Sequence, residues 1–110
     1  MSDLTVSLVS ESSTHARLTE AVFQRSVVEL AQWMAWRCYH TFDSRRSTQG
    51  YPDLTLVRED RLIFAELKSD RGRLSKGQRD WLQALEMAGA EAYVWRPRSW
   101  GEILETLKRP

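Results

Sequence analysis

Phe23, Val27, Leu30 and Met34 recur at intervals of three and four residues, the spacing of one face of a helix. Thr19 stands before them as an N-cap, with Leu18 and Phe23 placed as a hydrophobic staple. The period then changes. Residues 36–42, WRCYHTF, are aromatic and β-favouring and predict a strand. A polar loop follows, containing SRRSTQG. Pro52 leads into a second predicted strand over 53–57, Glu59-Asp60 makes a short turn, and a third strand runs over 62–68. The stretch SDRGRL, 69–74, reads as a loop. Ser75 with Gln78 three residues on is a capping box. Trp81, Leu82, Leu85 and Ala88 give the helix it opens an apolar face, and Gly89 is a fitting stop. A fourth strand is predicted over 92–95. Ser99 and Glu102 repeat the capping-box pattern and open a last helix to about Lys108.

The predicted order is α-β-β-β-α-β-α, with no repeat and no linker. It describes one α/β unit, a sheet flanked by helices with a short C-terminal helix. Residues 1–17 are polar, Ser-rich and weakly periodic, so they read as a flexible N-terminal arm before a single domain over 18–110.

Composition narrows the class. The chain has 110 residues, 42% hydrophobic and 28% charged, which fits one folded globular domain. No apolar run is long enough to span a bilayer and no signal-peptide pattern is present. The expectation is a cytoplasmic protein without a membrane partner. Cys38 is the only cysteine, which excludes an intrachain disulfide and a Cys-rich zinc site. Its apolar surroundings predict a structural thiol. The formal net charge of +1 shows no basic excess, but Arg45, Arg46, Arg71, Arg73, Lys76 and Arg79 fall in two clusters that flank the middle segment. Such clusters suit either a solvated surface or a basic stripe for nucleic acid.

The chemistry concentrates in the middle. If the second and third strands pair symmetrically about Glu59-Asp60, Arg58 faces Arg61 and Asp53 faces Glu66. Directly opposed residues have Cβ atoms roughly 5 Å apart on one face, and two carboxylates there repel. Either one of them keeps a proton or a divalent cation lies between them. Mg²⁺ commonly takes one or two carboxylates and completes its shell with water and phosphate oxygens. Strand period places Lys68 on the face of Glu66, with Ala65 and Leu67 turned away. Two acids, a lysine and a metal suit phosphodiester hydrolysis. A simpler reading makes Glu66-x-Lys68 an exposed face and Pro52-Asp53 a turn. Against it, LIFAEL is too apolar for an exposed edge, and a carboxylate at the end of a buried strand needs a partner.

The segments GYPDLTLV, LIFAELK, SKGQRDWLQAL and AYVWRP, taken in order, resemble the VRR-NUC group of the PD-(D/E)xK nuclease superfamily. Pro52-Asp53 and Glu66-Leu67-Lys68 match its two motifs, and the resemblance runs from about Glu20 to Leu107. It implies a restriction-endonuclease-like α-β-β-β-α-β core, dependence on Mg²⁺ or Mn²⁺, and cleavage of DNA, often branched or flapped. Stand-alone members of this size resemble phage and bacterial homodimers that act on four-way junctions.

Carried over by position, Asp53 and Glu66 would be metal ligands, Leu67 a further ligand between the motif residues, and Lys68 the catalytic lysine. Glu20 matches an acidic residue of the first helix that can approach the metal. Its spacing to Phe23 and Val27 extends the core-facing stripe, but a carboxylate there also complements the helix dipole. Gln78 matches a glutamine near the active site. Trp36 departs from the pattern, since a glycine is expected before the first strand.

The remaining candidates are secondary. Ser44, Arg45 and Arg46 on one side, and Arg71, Arg73 and Lys76 on the other, are expected to contact the DNA backbone. His40 is either a ligand or base, or a packed strand residue. Trp81 and Trp95 are expected to fill the core, and Trp100 suits a dimer interface. The resulting expectation is a metal-dependent, structure-selective DNA endonuclease acting as a homodimer. The alternatives are a non-cleaving module that binds DNA or a partner, and a nuclease or nickase acting on linear duplex.

Overall fold

The computed structural model describes residues 19–41 and 48–110. Leu18 of the predicted staple, the predicted arm, and the candidates Ser44, Arg45 and Arg46 lie outside the described residues.

Helix α1, Glu20–Trp33, begins as its sequence predicts: the Thr19 hydroxyl accepts a hydrogen bond from the Val22 amide at 3.1 Å. Phe23, Val27 and Ala31 form its buried stripe, with Leu30 and Met34 packed at the margin. The helix ends in a reversed turn. Trp36 N–H donates to the Ala31 carbonyl at 2.9 Å and Ala35 N–H to Gln32 at 3.0 Å, the paired bonds of a Schellman motif. The left-handed position of that motif is Ala35, with φ 72°. The glycine expected at 36 therefore has its conformational counterpart one residue earlier. Trp36 itself is a core residue, 3% exposed, and its indole N–H donates to the Leu107 carbonyl at 3.0 Å.

Strands β1 (Arg37–His40), β2 (Leu54–Arg58), β3 (Arg61–Leu67) and β4 (Glu91–Trp95) form one sheet in the order β1-β2-β3-β4. The first three run antiparallel and β4 runs parallel to β3. The parallel return needs a crossover, which helix α2, Lys76–Met87, supplies by packing on β3 and β4. A 3₁₀ turn, Pro97–Ser99, precedes helix α3, Trp100–Lys108. The element order and the mixed sheet flanked by helices match the sequence expectation. Strand β1 is shorter than the 36–42 prediction, since Thr41 already leaves the ladder. The capping box expected at Ser99 does not form: Ser99 makes no side-chain cap, because the 3₁₀ turn fixes its backbone near φ −93°, ψ 15° rather than in the extended form a cap requires.

One sheet face carries Leu54, Leu56, Ile63, Ala65, Leu67 and Trp95, closed by Phe23, Val27 and Ala31 of α1 and by Ile103 and Leu107 of α3. Burying each large side chain there contributes about 1.5–3 kcal/mol. Helix α2 is less covered. None of its residues is fully buried, and Ala88, read as part of its apolar face, is exposed. Trp81, expected in the core, is half-buried and meets Tyr51 edge-on at 5.0 Å, while Trp95 is fully buried as expected. Trp100 packs against the core cluster.

The hairpin register is the counted one, with Arg58 facing Arg61 and Leu54 facing Ala65. Two opposed arginines would repel. Here they anchor the end of α3. Arg58 donates to the carbonyls of Met34, Leu107 and Arg109, and Arg61 to those of Thr106 and Arg109. Arg61 also pairs bidentately with Glu91, and both guanidinium groups lie over the Trp36 ring at 4.5 and 5.0 Å.

Candidate active site

The end of the β2–β3 hairpin opposite its turn lines an open cavity of about 180 Å³. Asp53, Glu66, Leu67, Lys68, Gln78 and Glu20 all contribute to its wall, with Thr41, Thr48, Gly50 and Tyr51. The structure thus brings together the residues that the sequence count and the motif match singled out.

Asp53 sits one residue before β2, where the counted register continues to its partner Glu66. Pro52 ahead of it is fully buried and has no amide hydrogen to satisfy. Thr41 secures this junction from the β1 side: its amide donates to the Asp53 carbonyl at 3.0 Å and its hydroxyl to Pro52 at 3.2 Å. The Asp53 side chain reaches the other way and accepts the Leu67 amide at 2.8 Å. Glu66 lies at the end of a strand buried on both faces and is itself 3% exposed. Its Oε2 accepts from the Gln78 amide at 2.9 Å, and its buried Oε1 has no hydrogen-bond partner.

Burial pushes the Glu66 carboxyl up to about 8, helped by the adjacent Asp53 charge, by hydrogen bonding of the protonated form to Asp53 and more weakly by Glu20, and opposed by Lys68. With nothing else bound, Glu66 therefore holds its proton at neutral pH, one of the two ways that an opposed pair is relieved. The arrangement also suits the other. A partnerless buried carboxylate oxygen facing a second carboxylate in an open cavity is a donor set for a hard divalent cation. Among the described residues no group of three or more His, Cys, Asp or Glu side chains stands ready to hold a metal. The donor set is the Asp53–Glu66 pair, with Glu20 exposed in the same wall. Leu67 has no donor in its side chain, which is buried in the core; only its main-chain carbonyl is a possible ligand.

Gln78 is held by its own helix start. Ser75 Oγ accepts the Gln78 amide at 3.1 Å, and Gln78 Oε1 accepts the Ser75 amide at 2.8 Å, completing the predicted capping box. Its side-chain Nε2 donates to Glu66 Oε2. One side chain therefore ends the helix and orients the carboxylate. The start of α2 is also braced by Gly50, whose φ is 90° and where an added Cβ would lie 2.4 Å from the Gly77 carbonyl carbon.

The other candidates separate. Arg71 and Arg73 are exposed in the segment joining β3 to α2. Lys76 is exposed at the start of α2 and pairs with Asp80 at 2.8 Å. His40 is half-buried in β1, with its Nδ1 3.5 Å from Gln24 Nε2, and is not part of the cavity wall. Cys38 is half-buried and burial pushes its thiol up, in keeping with a structural role. Sequence reasoning gave no role to Thr41, Gly50 or Tyr51. Gly50 and Tyr51 stand next to Pro52-Asp53 in the quoted motif, which was the available signal. Thr41 had none, since its role depends on how β1 meets the Pro-Asp junction.

Among known protein families, the model of the VRR-NUC domain matches residues 2–98, a span that takes in the whole sheet, α1, α2 and every residue of the cavity wall. No curated protein and no solved structure matches.

Proposed function

The chain belongs to the VRR-NUC family and carries a nuclease-type, DNA-acting domain; on that premise we propose that it is a Mg²⁺- or Mn²⁺-dependent endodeoxyribonuclease that cleaves branched DNA such as four-way junctions. The observation that carries the reading is the Asp53–Glu66 pair, with one buried and partnerless carboxylate oxygen, beside Lys68 in an open cavity.

Asp53 and Glu66, with the Leu67 carbonyl, would hold the ion. When bound, the ion polarises the scissile phosphate and lowers the pKa of water. The protein's own groups do the rest. Gln78 fixes the Glu66 carboxylate, and the Leu67 amide fixes that of Asp53. Lys68 offers a positive charge to the phosphate oxygens as negative charge builds on them, and a donor to orient the attacking water. Arg71 and Arg73, exposed just past Lys68, suit the flanking DNA backbone. Lys76 is a third contact once its exposed pair with Asp80 yields, a pair worth at most about 0.5 kcal/mol as an i,i+4 surface bridge. A homodimer fits this account because a domain this small gains binding surface by doubling. Branched DNA rests on the family resemblance alone.

The test is a panel of four-way junction, flap, linear duplex and single-stranded DNA, each with Mg²⁺, Mn²⁺ or EDTA, run beside a mass measurement in solution. The expected result is junction cleavage that needs the ion, by a dimer. Equal cutting of linear duplex contradicts the preference for branched DNA. Cutting in EDTA contradicts the metal, and a monomeric mass the dimer.

A further inference from the structure

We propose that Arg96 is a positioning residue for Lys68, acting through the Ser69–Gly72 turn that it clamps. The proposal rests on the nuclease reading for its meaning, but its geometry stands on separate contacts. Lys68 is the last residue before that turn, and its amide donates to the Trp95 carbonyl at 3.0 Å. Arg96, the next residue after Trp95, sends one guanidinium nitrogen to two carbonyls, Ser69 and Gly72, each at 2.7 Å. These are the two ends of a turn closed by the Gly72 amide on Ser69 at 3.1 Å. Arg98 ties down the middle: its amide donates to Asp70 Oδ1 at 2.9 Å and its guanidinium to the Asp70 carbonyl at 2.5 Å.

The turn folds back over the lysine. A Cβ added at Gly72 would stand 3.4 Å from Lys68 Cδ and 3.0 Å from Ser69 Oγ. The aliphatic part of Lys68 thus lies against a surface whose position Arg96 sets. A charged donor shared by two carbonyls makes charge-assisted bonds, roughly twice as strong as neutral ones. A side chain that must meet one phosphate oxygen gains from such support, because a displacement of about 1 Å costs on the order of 100-fold in rate.

Two variants approach the turn from different sides. Arg96→Gln loses the charged clamp, and Gly72→Ala crowds Ser69 Oγ in the turn while bringing a methyl group into contact with Lys68 Cδ. The chain has three lysines, Lys68, Lys76 and Lys108, so reductive methylation with ¹³C gives few amine signals, and Lys68→Arg assigns the one of interest. In both variants the Lys68 signal is expected to move while those of Lys76 and Lys108 stay, with melting curves reporting that the protein is folded. On DNA, the turnover rate is expected to fall about 10- to 100-fold with the Mg²⁺ concentration for half-maximal rate unchanged. A Lys68 signal that stays in place in the folded Arg96→Gln protein overturns the proposal, as does unchanged turnover in that protein. If the parent protein does not cut DNA, the nuclease reading fails, and the amine signals still decide whether Arg96 positions Lys68.

Discussion

The Asp53 carboxylate accepts the Leu67 amide at 2.8 Å, so one acid of the site is fastened to the strand that carries the other. This bond separates two roles of Asp53 that substitution can pull apart. Asp53→Asn keeps an oxygen for the Leu67 amide but removes the charge. It is expected to fold with nearly the parent stability and to lose at least 100-fold in cleavage rate. Asp53→Ala leaves the Leu67 amide without its partner, which costs about 1–3 kcal/mol. Urea denaturation of the two variants side by side checks the difference.

Glu66 makes stability depend on pH with a sign opposite to that of an ordinary ion-paired carboxylate. Its folded-state value, about 8, lies above the usual value near 4.5. The folded protein therefore binds the extra proton. Its contribution to stability is complete below about pH 4.5 and is lost as pH rises through about 8. A bound divalent cation favours the ionised carboxylate, so metal binding releases a proton and strengthens with pH. The metal-free melting temperature is expected to fall between pH 5.5 and 8.5, and the rise on adding Mg²⁺ to grow over the same range. Glu66→Gln should flatten both trends. Differential scanning calorimetry with and without the ion reads them directly.

The legibility of the site in the sequence has a physical reason. Residues 58 and 61 close a two-residue turn, and from there period-two pairing carries Asp53 to Glu66 without any tertiary information. Ser75 and Gln78 were legible for the same reason, since a capping box is a contact between residues three apart. What stayed hidden depends on distant segments. Arg58 and Arg61 were placed opposite each other by the count, but their anchoring role was hidden because the carbonyls of α3 that they bind lie 45 or more residues away. Ser99 looked like a cap because nothing local announced the 3₁₀ turn before it. Gln78 was read as near the site, but its bond to Glu66 needed the crossover that lays α2 on β3.

Gln78 holds a cap and a carboxylate at once, and two substitutions distinguish these duties. Ser75→Ala removes the hydroxyl that accepts the Gln78 amide, costing about 1 kcal/mol, while leaving the bond from Gln78 to Glu66. Gln78→Ala loses a similar amount from the cap and also frees Glu66. Both are expected to melt a few degrees lower. Only Gln78→Ala should slow cleavage by 10-fold or more when both are assayed well below their melting temperatures.

Ala35 offers a gain away from the site. It occupies a left-handed position at φ 72° that costs an L-residue roughly 1–2 kcal/mol. Ala35→Gly removes that cost and gives back part through the greater entropy of the unfolded chain. The expected net effect is a stabilisation of about 0.5–1 kcal/mol by urea denaturation, with cleavage unchanged. Gly50→Ala is the reverse case. The added methyl group meets the backbone of Gly77 at the start of α2, so both stability and cleavage are expected to fall.

The central claim is that Asp53 and Glu66 hold a divalent cation beside Lys68 and that together they cleave phosphodiester bonds. Its most direct test is the single-turnover cleavage rate of a labelled four-way junction against Mg²⁺ concentration, for the parent protein, Asp53→Asn and Lys68→Ala. The account expects a saturable rise for the parent, no rise for Asp53→Asn at the same concentrations, and a rate at least 100-fold lower for Lys68→Ala despite a folded protein. Parent-like cleavage by folded Asp53→Asn or folded Lys68→Ala would contradict it.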